Sequence, residues 1–307
     1  MLLRSRKMTV KTTIISPARP AQTWSLTEHL LSTFPEEYQR ATQHPFLLAA
    51  AEGRLPKDVL GKWLANDRLY IHSYIRAAGK LLSAIDLPQV VPKDGEASET
   101  QLVDWLIEAL AAVRREERLF IDVAGRYGLD VNIGTLGGVS STEAVVVDEG
   151  AKLPGLVMME DIFRDIQGST TAAPGAYEMA RLNDRPPTTT LLPWLEGAVM
   201  FWGTERTYLD AWSWAKSRQP PGKASSDARE DADGGALRNE FIPNWSSVDF
   251  GRFVGRLGGL IDFAVSQALE RVGEEGADAV KAEIIGRVEA KWKSLLSAEA
   301  AFWPQVD

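Results

Sequence analysis

Four stretches of the sequence repeat apolar residues every three to four positions, and an acid interrupts each of them. The first runs Leu60, Trp63/Leu64, Asp67, Tyr70/Ile71, Tyr74/Ile75, with Asp67 where a core side chain belongs. The second runs Leu102, Leu106, Ala109/Leu110, Val113, Glu116/Glu117, Phe120. The third runs Leu195, Ala198/Val199, Trp202, Glu205, Leu209, Trp212, and the last runs Val288, Trp292, Leu295/Leu296, Glu299, Phe302/Trp303. An ionised carboxylate buried without a partner costs several kcal/mol. One such acid is explained by an arginine partner or a rim position. Four, on four seams, predict a shared polar cavity inside a helical bundle. Trp63, Tyr70, Tyr74, Trp202 and Trp303 lie on the same stripes and are expected to wall it.

Two chemistries suit such a cavity. One is a metal pair held by Glu and Glu-x-x-His. The residues three places after Glu116, Glu117, Glu205 and Glu299 are Leu119, Phe120, Tyr208 and Phe302. The histidine half of that site is missing, so no metal is expected. The other is an organic base. One carboxylate would hydrogen-bond an amidine or aminopyrimidine edge, and another, with a raised pKa, would serve as general acid or base. Aromatic walls with a few converging polar groups suit a small planar ligand.

The composition narrows the rest. There is no cysteine, hence no thiol nucleophile, disulfide or zinc–thiolate site. Net charge is −8; residues 1–27 carry +5 and the remainder −13. An acidic body argues against nucleic-acid binding. The basic arm leaves a mitochondrial presequence as the alternative to a cytoplasmic location. No apolar run is long enough to span a membrane, so no membrane partner is expected. Of the histidines, His29 is a heme-ligand alternative, His44 suits a cap before Pro45, and His72-Ser73 lacks an acid partner for a hydrolase triad.

The elements that must position these acids are helices. Long ones are predicted over 56–85, 98–128, 190–217, 246–273 and 277–303, and shorter ones within 26–52 and 154–181. Pro56 suits a first turn, and Ser246 to Asp249 reads as an N-cap followed by an early acid. Residues 219–238 are rich in Pro, Gly, Ser and Asp and read as a loop that buries no core; residues 130–153 read as a second, Gly-rich loop. The fold class is therefore all-α: a flexible arm over 1–22, then one helical domain over 23–307 with those two insertions.

The segment with His44-Pro45-Phe46, Gly53-Arg54-Leu55-Pro56 and the run from Trp63 to Tyr70 resembles the TenA-type thiaminase II family. Glu116, Ala176-Tyr177, Trp245, Asp262 and the terminal Glu299-Ala-Ala-Phe302-Trp303 extend the resemblance. It implies a heme-oxygenase-like fold, no cofactor, a homo-oligomer (dimer or tetramer), and a small aminopyrimidine substrate derived from thiamin. It further implies that Asp67 holds the aminopyrimidine edge and that Tyr70 lies beside the ring. Glu299 becomes the catalytic acid/base and Glu205 a second catalytic acid. Tyr74, Glu116, Tyr177 and Trp202 become substrate-binding residues. The family's nucleophilic cysteine is expected two residues before Trp202, where this chain has Met200. A thioether forms no covalent intermediate, so the expected chemistry is cysteine-independent hydrolysis at a C–N bond. The alternative is a binding protein that has lost catalysis.

Overall fold

A computed structural model describes residues 24–90, 95–136, 146–167, 191–220 and 227–306. The basic arm, residues 137–145 of the Gly-rich segment, residues 221–226 and the Ala176-Tyr177 turn lie outside them. Helices dominate what is described. The exception is a two-residue antiparallel pair, Thr135–Leu136 with Val146–Val147, within the expected Gly-rich loop.

The segment expected to hold short helices resolves into three, α1 (Leu26–Ser32), α2 (Pro35–Thr42) and α3 (Pro45–Glu52). Each start has a local cause. The Ser25 hydroxyl accepts from Glu28 N, proline stands at the first position of α2, and His44 Nδ1 accepts from Phe46 N at 3.2 Å. α3 ends at Gly53, whose φ of 74° is the left-handed cap that glycine adopts without strain. α4 (Lys57–Ala84) follows Pro56, and α5 (Ser98–Tyr127) ends at Gly128. α6 spans Pro154–Arg164 and α7 spans Leu195–Ser217. A π-turn at Leu237–Phe241 leads into the short α8 (Ile242–Trp245). α9 (Val248–Phe302) breaks at Gly273, φ 70° and ψ 178°, so it is two helices nearly where the periodicity separates them.

α7 is the central rod. Leu195 through Thr204 are buried on every face, as expected of a helix surrounded by others. α9 packs along α7, α6 and α2, and α4 packs on α5 and α6. Gly155 of α6 has no room for a Cβ, because Phe302 N and Ala298 O of α9 occupy that space. This close approach sets α6 against the end of α9, beside Glu299. Asp262 of α9 ties down the start of the described chain, accepting from the Ser25 hydroxyl at 2.8 Å and the Thr27 hydroxyl at 2.6 Å.

The stretch 219–238 departs from its reading as a loop without a core. Ala236 and Leu237 are buried. The Asp233 carboxylate accepts from Gly235 N at 2.8 Å and Leu237 N at 2.7 Å, and Arg238 pairs with Asp231 at 2.7 Å. Short polar side chains satisfy the backbone there, so small residues suffice to pack it.

Candidate active site

The four seams converge. One cavity of about 40 Å³ is lined by Asp67, Tyr70 and Ile71 from α4 and by Val113 and Glu116 from α5. Met159 of α6, Thr204, Glu205 and Tyr208 of α7, and Glu299, Phe302 and Trp303 at the end of α9 complete it. The spacings are helical: i, i+3, i+4 on α4 and i, i+3 on α5 put each set on one face. No lysine or arginine is among the described residues that line it.

Each acid is held by a neutral donor. Tyr208 OH donates to Asp67 Oδ2 at 3.3 Å, Trp245 Nε1 to Glu116 Oε1 at 2.6 Å, and Tyr74 OH to Glu205 Oε1 at 2.8 Å. The Thr207 hydroxyl supports Glu299. Burial nevertheless dominates, and no cation among the described residues offsets it. It pushes Glu116 up to about 7, and Glu205 and Glu299 each up to about 8. Asp67 is raised well above the usual carboxylate range, by burial first and then by the charge of Glu116. Glu299 and Glu205 add to that rise, against the Tyr208 hydrogen bond. Burial likewise raises the Tyr70 phenol, so it stays neutral. Protons are therefore shared among acids around neutral pH, the condition under which a carboxyl group both donates and accepts.

Several side chains take other places. Trp202 does not line the cavity: its ring stacks on Trp292 at 5.9 Å, with Gly258 against its indole nitrogen. Trp63 lies behind the wall, stacked on Trp303 at 5.7 Å. Tyr74 is fully buried and reaches the site through its bond to Glu205 and its ring contact with Tyr70. Glu117, next to Glu116, turns to a separate cluster with Arg68, His72 and Arg114. His72 thus has an acid partner after all, Glu117 at 2.8 Å, while the Ser73 hydroxyl accepts from Arg76. His29 sits 3.7 Å from Glu289 and beside Trp24. Tyr177 lies outside the described residues.

Met200 also points elsewhere, into a cavity with Glu196, Ile162 and Lys291. The α7 residues that face the acids are one turn later. Thr204 supplies a hydroxyl beside Tyr70, and Tyr208 holds Asp67. Sequence reasoning missed Thr204, Thr207 and Met159. The i, i+4 spacing of Thr204 and Tyr208 around Glu205 was the available signal.

Comparison with known proteins agrees with this architecture. The sequence profile of the TENA/THI-4/PQQC family matches residues 34–90, which include Asp67 and Tyr70. A TenA homologue from Pyrococcus furiosus superposes with a TM-score of 0.55 at 19% identity, over 90% of this chain and 97% of its own. The chain shares the fold of this homologue. A second TenA homologue, from P. horikoshii, gives a TM-score of 0.53 at 14% identity, covering 91% of this chain and 99% of its own. A structure described as a TenA family transcription regulator, from Silicibacter, gives 0.53 at 11% identity, covering 90% of this chain and 94% of its own. A curated Fusarium pseudograminearum protein called "Probable transcription factor" is 25% identical over 262 residues. That alignment covers 78% of this chain and 45% of the relative, so this chain matches about half of that protein.

Proposed function

We propose that this chain serves thiamin salvage by hydrolysing a C–N bond of an aminopyrimidine fragment such as 4-amino-5-aminomethyl-2-methylpyrimidine, without a cysteine. The observation that carries this reading is the convergence of Asp67, Glu116, Glu205 and Glu299 on one aromatic-walled cavity with no lysine or arginine among its described lining residues. Such a cavity favours a ligand rich in N–H donors and able to accept a proton. A neutral Asp67 carboxyl matches an aminopyrimidine edge, donating to the ring nitrogen and accepting from the amino group. Tyr70 and Phe302 flank the ring.

The groups then divide the chemistry. Glu299, protonated up to about 8, gives its proton to the leaving nitrogen as the CH2–N bond breaks. Glu205, once ionised, takes a proton from the water whose oxygen forms the new CH2–O bond. The products are the hydroxymethylpyrimidine and ammonia. Purified protein mixed with the aminomethyl compound should release ammonia, and Glu299→Gln should abolish that release. Absence of release from the unaltered protein sinks the enzymatic reading.

A second reading, ligand binding without turnover, rests on the absence of a thiol in the cavity. Calorimetry showing binding with no ammonia would favour it. The transcription names carried by two relatives suggest nucleic-acid contact, against which stands a net charge of −8.

A further inference from the structure

The small cavity continues outward. A groove of about 440 Å³ shares Val113, Glu116, Glu205 and Tyr208 with it, and adds the rings of Trp245, Phe250 and Phe253. A heterocycle seated against Asp67 would direct a substituent on its reacting carbon past Glu205 and into this groove.

The charges around the groove are mostly neutralised. Glu108 pairs with Arg256 at 2.5 Å, and Asp249 pairs with Arg252 at 2.9 Å. Glu116 and Glu205 accept from Trp245 and Tyr74, and burial raises both toward the protonated, neutral form. Arg115, exposed on α5, lines the same groove and has no carboxylate partner among the described residues. The first turn of α9, capped by the Ser247 hydroxyl on Phe250 N at 3.2 Å, borders it too, adding the positive end of a long helix.

We infer that the groove is a second substrate subsite: it holds a substituent that packs on Trp245 and Phe250 and ends in an anionic group read by Arg115. The inference rests on the aminopyrimidine reading of the inner cavity and extends it to a two-part substrate.

Calorimetry with three probes tests it: the aminomethylpyrimidine, its N-succinyl derivative, and the uncharged succinamide of equal length. The succinyl probe should bind about tenfold tighter than the succinamide. Arg115→Gln, a change at an exposed position, should bring that ratio to about one, and added salt should shrink it in the unaltered protein. Equal binding of the two acyl probes, with the small amine still bound, overturns the subsite and leaves the inner cavity's assignment standing. A ratio unchanged by Arg115→Gln overturns the role of Arg115. Failure of all three probes to bind overturns both assignments.

Discussion

Tyr74 donates its hydroxyl to Glu205 Oε1 at 2.8 Å from a position wholly closed to solvent. This bond opposes the burial that raises Glu205 to about 8. Removing it in Tyr74→Phe leaves a buried acceptor short of a donor, so the variant should lose about 1–3 kcal/mol in urea unfolding. The Glu205 pKa should rise further, moving the ascending limb of the pH–rate profile to higher pH. A profile that does not move would show that Glu205 is not the base.

Burial of Glu299 makes stability depend on pH with a definite sign. The folded chain holds that proton up to about 8, whereas an unfolded glutamate releases it near ~4.3. Between those values the folded state binds the extra proton, so stability falls as pH rises through the window. Below ~4.3 both states are protonated and the effect vanishes. Glu299→Gln lacks this slope. Its stability relative to the parent should be higher at pH 8 than at pH 5, by about 1–3 kcal/mol. Parallel stability curves would contradict the buried environment of Glu299.

Asp67 accepts from Tyr208 and faces the other three acids across the cavity. If it pairs with the heterocycle, Asp67→Ala should weaken aminopyrimidine binding by about 10- to 100-fold, which is roughly 1.5–3 kcal/mol. Tyr208→Phe should have a smaller effect, since its contact is long. Calorimetric titration of both variants decides this; unaltered affinity in Asp67→Ala would move the ring elsewhere.

Thr204 and Met200 lie one helical turn apart and point into different cavities. Met200→Ala should reduce stability, by about 2–5 kcal/mol as for other buried methionines, without changing kcat/KM. Thr204→Val keeps the volume but removes the hydroxyl beside Tyr70, and should lower kcat/KM about tenfold. The reverse pattern would place Met200, and not Thr204, beside the reacting ligand.

Helical periodicity made the four seams readable, because an acid at a core position is conspicuous every three to four residues. Asp67, Glu205 and Glu299 could be picked out that way. Glu116 and Glu117 could not be separated, since neighbours on a helix differ by about 100° and only the packed partner decides. Glu116 meets Trp245, whereas Glu117 meets Arg68 and His72. Trp202 shares the apolar stripe of Glu205, yet its ring stacks on Trp292 and does not line the cavity, because periodicity does not tell a wall from the core behind it. Composition also misjudged 231–238, where the Asp233 and Arg238 side chains do the work that large apolar groups do elsewhere.

The most direct test is a structure of the Glu299→Gln variant with 4-amino-5-aminomethyl-2-methylpyrimidine bound. The account predicts the amino and ring-nitrogen edge on Asp67, the exocyclic nitrogen beside position 299, and the groove side open past Glu205. A ligand bound outside this cavity, or a cavity that stays empty at saturating ligand, would contradict it.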